Sequence, residues 1–259
     1  MLFTTVRELY RTDRQTVKAI NRQLYATLDT ETAIDNIKRY FVKGTEGKNS
    51  LVYDLGILIH DLKGNVYGTL NLIITDTFLY QQEKMDSCYF KDKLQSYYID
   101  IDNRQRELVS IHTARDIIDY IVNELNITTL EAYNIKFDYE ALNHTYQTVT
   151  HSKTEFFPQE CELMDIQKML HSHIKDNKKY RSFCIKNGYL TKHKVPRPQE
   201  KAEVVYRYIT RNNQFIEDHT GLRDCSIEKD IMVWLNKKNA TYKTTSNFNK
   251  YEWYEVEMA

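Results

Sequence analysis

Residues 24–35 read LYATLDTETAID, an apolar run that gives way to Asp29-Thr30-Glu31-Thr32, with two carboxylates two residues apart. On a strand such neighbours share a face and stand about 6.5–7 Å apart, so Asp29 and Glu31 can reach into one cleft. A core strand ending in paired negative charge needs an opening to solvent or a counter-charge. The pattern is cheap, since Asp138-Tyr139-Glu140 repeats it, and alone it is most simply a polar strand end.

Outward from this stretch, residues 5–22 show helical spacing through Val6, Leu9, Tyr10, Val17 and Ile20. Residues 24–29 form a short strand, and 34–49 read as a loop with one helical turn. Two strand-like runs in 51–78 flank Asp61-Leu62-Lys63-Gly64-Asn65, a hairpin signal. Residues 106–125 have helical spacing through Leu108, Ile111, Ile117, Ile118, Ile121 and Leu125. LEAYN (130–134) is a short strand and FDYEALNHTY (137–146) opens a helix, with further helical pattern in 165–175 and 200–236. This order predicts an α/β domain, a mixed sheet with flanking helices.

The 259 residues carry 36 Lys plus Arg against 36 Asp plus Glu, so net charge is zero and a polyanionic partner would need a local patch. Charged residues at 28% and a mean hydropathy of −0.62 describe a soluble globular chain. MLFTTVRELYRTD lacks an apolar stretch of about 7–15 residues, so no signal peptide is expected. LGILI and LNLII fall far short of the roughly 20 residues of a membrane helix. A cytoplasmic protein without membrane contact is the expectation. Cys88, Cys161, Cys184 and Cys225 form no C-x-x-C pair and read as free thiols rather than a zinc site.

Two other acidic positions deserve weighing with the first. In AYNIKFDYEAL (132–142), Asn134 ends a strand and Asp138 opens a helix, where a capping role is the simpler account. In EDHTGLRDCSIEKDIMVWL (217–235), His219 and Asp224 stand in His-x-x-x-x-Asp spacing. His171 and Asp176 share that spacing, but Asp224 lies on a stripe with Ile227, Ile231 and Leu235. A carboxylate on a core-facing stripe is costly to desolvate unless paired or metal-bound. Asp29, Glu31, Asp138 and Asp224 together offer hard oxygen donors suited to Mg²⁺ or Mn²⁺.

In this order the motifs resemble those of the DEDDh (DnaQ-like) 3′–5′ exonuclease family. LDTET (28–32) resembles the first motif, AYNIKFD (132–138) the second and HTGLRD (219–224) the third, while LVYDLGILIHD resembles the family's second strand. A sister class has Tyr four residues before the last Asp; Thr220 stands there, which favours the histidine class. The likeness covers about 24–236, and residues 182–224 are closest in character to bacteriophage-encoded exonucleases, implying the host cytoplasm for a phage protein. The segment 33–50 is longer than the family's usual turn, and the helix before Asp29 is an addition.

The resemblance implies a ribonuclease H-like mixed β-sheet with flanking helices, the DnaQ-like exonuclease fold. It implies one domain over 1–259, with a core at 24–236, a helical extension at 1–23 and an aromatic tail at 237–259. It further implies two Mg²⁺ or Mn²⁺ ions held by Asp29, Glu31, Asp138 and Asp224, with His219 as general base. Thr32 and Asn134 would meet the substrate, though a turn residue accounts equally well for Asn134. Nucleoside 5′-monophosphates would be released from the 3′ end of single-stranded DNA, with replication proteins as a further partner class. An RNA or oligoribonucleotide exonuclease, or a non-catalytic nucleic-acid-binding or interaction protein on this fold, are the alternatives. Asp54 is a candidate supporting acid. His60, His112, His144 and His151 show no metal spacing. From Lys168 to Arg197, nine Lys or Arg accompany one acid, Asp176, with Tyr180, Phe183 and Tyr189 interleaved. Such a stretch could track a backbone and stack bases, or be a solvated surface.

Overall fold

The first strand, β1 (Tyr25–Ile34), does not stop at the acids: in this computed structural model it runs for ten residues. The structure describes residues 1–88, 91–240 and 244–245. β1 stays extended because it pairs antiparallel with β2 (Ser50–His60) along its whole length, placing Asp29 opposite Gly56 and Glu31 opposite Asp54. Asp29 and Glu31 are therefore mid-strand residues rather than a strand end. A register shift between Glu31 and Thr32 marks a bulge, a device that re-aims side chains.

The expected helix over 5–22 is two short ones, α1 (Val6–Leu9) and α2 (Arg14–Ala19). The break occurs because Asp13 caps α2, its carboxylate accepting from the Thr16 N–H at 2.7 Å. Leu9 and Val17 nonetheless lie in the main core. After β1 come α3 (Ile37–Tyr40), β2 and β3 (Val66–Ile74), the last two forming the expected hairpin. The end of the second strand-like run is instead helical, α4 (Thr75–Phe78), and residues 79–105, unassigned from sequence, hold α5 (Gln82–Met85) and α6 (Leu94–Asp102). The expected helix over 106–125 begins only at Ser110, whose hydroxyl caps it. Glu107–Val109 is β4, and Ile111–Asp119 is α7.

β5 (Thr129–Ala132) and α8 (Ile135–Thr150) follow as expected, then β6 (Glu162–Asp165), α9 (Ile166–Ile174) and α10 (Lys178–Asn187). The helical pattern over 200–236 divides into α11 (Ala202–Thr210) and α12 (Gly221–Lys237), separated by a loop with left-handed Arg211 and His219. Thr244–Thr245 is β7. The rest of the aromatic tail beyond Ala240 lies outside the described residues.

One mixed sheet has the order β4-β3-β2-β1-β5-β6-β7. Its centre is antiparallel, while β5 runs parallel to β1 and β6 parallel to β5. Side chains alternate along β1. Ala26 and Leu28 enter a core with Ile117 and Ile118 of α7 and Leu142 of α8, while α12 packs on β1 and β2. β2 is buried at every residue, which explains its near-continuous apolar sequence. The four cysteines are free, as expected, and all four are buried. No helix among the described residues is long and apolar enough to cross a membrane.

Candidate active site

Helix α12 reaches β1 because two glycines permit it. The amide of Gly221 donates to Asp54 Oδ2 at 3.1 Å, and Gly56 of β2 lies directly beneath Gly221. This anchors the helix start so that Asp224, in its first turn, is carried to the acids of β1. One ligand atom each of Glu31, His219 and Asp224 then lies within 4.8 Å of the other two. Asp138 arrives from the first turn of α8 and is locked to β1, its Oδ1 accepting from the Thr30 amide at 3.1 Å and hydroxyl at 2.7 Å. It therefore does not cap its helix; Asn134 occupies the cap position.

The electrostatics are those of crowded, poorly compensated negative charge. Burial raises the Asp29 carboxyl well above its ordinary range, and Glu228, Asp224, Asp138 and Glu31 push it further. Glu31 is raised to about 9 by burial and then by Asp54, Asp224 and Asp138, against an opposing Lys93. Asp224 is raised to about 8 by burial and Glu217, with Lys93 again opposing. Asp138 is raised to about 7 by burial, even though its bonds to Thr30 favour the anion. Asp29 Oδ2 and Asp224 Oδ1 are buried with no hydrogen-bond partner. Such oxygens fit a divalent cation: without one the carboxylates repel, and with one they become ligands.

His219 is half-buried and left-handed, with φ of 50°, and its Nδ1 lies 3.8 Å from Glu217 and 3.9 Å from Asp224. Burial, then Lys93, lowers its pKa, so the imidazole is neutral near pH 7. The five sequence-marked groups thus come to one place, although Asp29 and Asp138 stand outside the tight Glu31–His219–Asp224 trio. Thr32 is half-buried just past the bulge. Asn134 has φ of 67°, a conformation that favours Asn, so its backbone alone accounts for the residue type.

Asp54, the candidate supporting acid, is fully buried, and its Oδ2 also accepts from Tyr97 Oη at 2.7 Å and Arg106 Nη1 at 2.9 Å. Two further residues near the site were not marked from sequence. Lys93, in the unassigned 79–105 segment, donates to the Asp218 carbonyl beside His219. Glu228, one turn beyond Asp224, could have been found by extending the Asp224 stripe four residues. Within the basic stretch 168–197, Tyr180 is fully buried and so cannot stack a base, while Phe183 and Tyr189 are partly buried against the same core. Most of its Lys and Arg are exposed.

No family model matches the chain, and no curated protein matches it by sequence. Solved structures do. A 3′-exonuclease that recognises the 3′ end of a histone mRNA stem-loop superposes with a TM-score of 0.54 at 12% identity, over 86% of this chain and 85% of that one. S. pombe Pop2p, in a form with Mg²⁺ and Mn²⁺ bound, gives 0.49 at 13% identity over 92% and 93%. The E. coli ExoI–ssDNA complex gives 0.48 at 11% over 84% and 41%. The fold assignment rests on the first: the chain has the ribonuclease H-like, DnaQ-like exonuclease fold that the motifs implied.

Proposed function

We propose that the protein is a metal-dependent 3′–5′ exonuclease that removes nucleoside 5′-monophosphates from the 3′ end of single-stranded DNA. The observation that carries this reading is the convergence of Glu31, His219 and Asp224 within 4.8 Å from β1 and the α12 start, with Asp29 and Asp138 beside them. The fold relationship supports the same reaction class, and the motif resemblance supplies the polarity and the DNA substrate.

Asp29, Glu31, Asp138 and Asp224 would hold two Mg²⁺ or Mn²⁺ ions. When bound, such a pair supplies Lewis-acid clamping of the phosphoryl group and lowers the pKa of the attacking water. The chain's own residues do the remainder. His219, kept neutral by burial and Lys93, takes the proton of that water. Its left-handed backbone sets it at the mouth of the site, one residue before the α12 cap. Thr30 holds the Asp138 carboxylate in a fixed orientation, and Asp54 holds the helix start that carries Asp224. Thr32, past the bulge, would lie beside the terminal nucleotide.

The test is digestion of 3′-labelled single-stranded DNA, duplex DNA and RNA with Mg²⁺ or Mn²⁺, alongside Asp224→Asn. Mononucleotide release from single-stranded DNA that vanishes in EDTA and in the variant is the expected result. Equal activity in EDTA would overturn the reading, and preference for RNA would transfer it to the oligoribonucleotide alternative.

A further inference from the structure

The four marked acids do not exhaust the buried carboxylates around this site. Glu228 follows Asp224 by one turn of α12, so the two share a helix face. It is 4% exposed, and its Oε2 has no hydrogen-bond partner. The Tyr133 backbone amide is near enough to favour its anion, while the charges that act on it most, Asp138, Asp224 and Glu131, are all negative. Glu228 is in turn the strongest charged neighbour of Asp29.

A buried acid with a purely structural role has its charge compensated, and the same face of the sheet shows one. Glu131 of β5 is fully buried and its Oε2 likewise lacks a partner, but its Oε1 meets the His60 Nε2 at 2.7 Å and accepts from the Thr27 hydroxyl at 3.0 Å. Glu228 has no such cation or hydroxyl, only the nearby Tyr133 amide. A glutamine would fill the same space without the cost of an uncompensated buried charge. An acid at this position makes sense when positive charge arrives from outside the chain.

We propose that Glu228 is a metal-binding residue of this site, contributing a fifth negative charge beside Asp29. The inference rests on the cation site assigned above, and divalent-cation affinity then depends on a residue outside the three motifs. Glu228 draws a cation towards the helix side of Asp29, where the orphaned Oδ2 of Asp29 and Oε2 of Glu228 lack any other partner.

The experiment is Mn²⁺ binding by calorimetry, with no nucleic acid present, on the full chain and on Glu228→Gln and Asp29→Asn. Melting in EDTA and in Mn²⁺ accompanies it. Glu228→Gln should bind Mn²⁺ at least about tenfold more weakly, in line with losses at residues that support metal ligands. It should also melt above wild type in EDTA and gain less on adding Mn²⁺. A Mn²⁺ titration of Glu228→Gln that superimposes on wild type, with Asp29→Asn weakened, would overturn this inference alone. Lower stability than wild type in EDTA would also overturn it, because the ionised group would then be paired within the chain. If Asp29→Asn binds like wild type, or wild type binds no Mn²⁺, the cation site itself falls and this inference with it.

Discussion

Gly56 and Gly221 meet backbone to backbone: a methyl group on Gly56 would lie 2.1 Å from the Gly221 carbonyl carbon, and one on Gly221 would lie 2.5 Å from the Gly56 nitrogen. Neither residue has a positive φ, so space rather than conformation selects glycine. Gly221→Ala should push the start of α12 off the sheet and draw His219 and Asp224 away from Glu31. Overpacking of this kind costs about 1–3 kcal/mol. We expect a lower melting temperature and loss of the extra stability that Mn²⁺ confers, both read in one melting experiment. Full retention of the Mn²⁺ effect would show that helix placement does not set the site.

The acid cluster makes metal-free stability depend on pH in a direction opposite to that of an ordinary salt-bridged protein. Glu31, Asp224 and Asp138 are raised to about 9, 8 and 7, above the value near 4 that carboxyls have in an unfolded chain. Between those values the native state binds more protons than the unfolded one, so stability falls as pH rises. Asp61 works the other way. Burial alone would raise its pKa, but bonds from Asn65, Arg22 and Lys63 outweigh it and lower the pKa, and that contribution is complete above about pH 4. In EDTA the melting temperature should therefore decline from pH 6 to pH 9, and saturating Mn²⁺ should flatten or reverse the slope. A rise over that range in EDTA would contradict the clustering.

Asp54 and Asp224 are both buried acids of the same site, yet their neutral variants should move stability in opposite directions. Asp54→Asn removes the anion that faces Arg106, whose side chain is only 4% exposed, and weakens the anchor of Gly221. Breaking such a buried pair costs about 3–5 kcal/mol. Asp224→Asn relieves repulsion and should raise the metal-free melting temperature. Equal signs for the two variants would mean that Asp54 belongs to the cation cage rather than to its support.

What the sequence made legible follows from which interactions are local. The β2–β3 hairpin was readable because Asp61–Asn65 is a local turn between apolar runs, and α8 because its pattern is continuous. Asp29, Glu31, Asp138, His219 and Asp224 could be marked as candidates because their motifs follow one another in a set order, each spacing being common by itself. The length of β1 was not, because polar residues past Leu28 stay extended only through pairing with β2. Tyr180 looked like a candidate stacking platform, since the second core that buries it is assembled from α9 to α12. Lys93 joins the site only through tertiary packing, while Glu217 and Glu228 flank the third motif without being part of it.

Lys93 is the cation that most directly opposes the site's negative charge, acting on both Glu31 and Asp224 while its ammonium donates to the Asp218 carbonyl. Its Nζ also lies 3.9 Å from the Asp218 carboxylate. A resident cation competes with a divalent ion for the same field. Lys93→Met should therefore bind Mn²⁺ more tightly when no nucleic acid is present, by roughly fivefold if the coupling is about 1 kcal/mol. The same change removes a positive charge that a phosphate entering the site would meet, so binding of single-stranded DNA to the Mn²⁺-loaded protein should weaken. Lys93→Arg, which keeps the charge, should leave Mn²⁺ binding near the wild-type value. Opposite movement of metal and oligonucleotide affinity is the outcome specific to this arrangement. Parallel loss of both would instead assign Lys93 to holding the Glu217–His219 loop through Asp218.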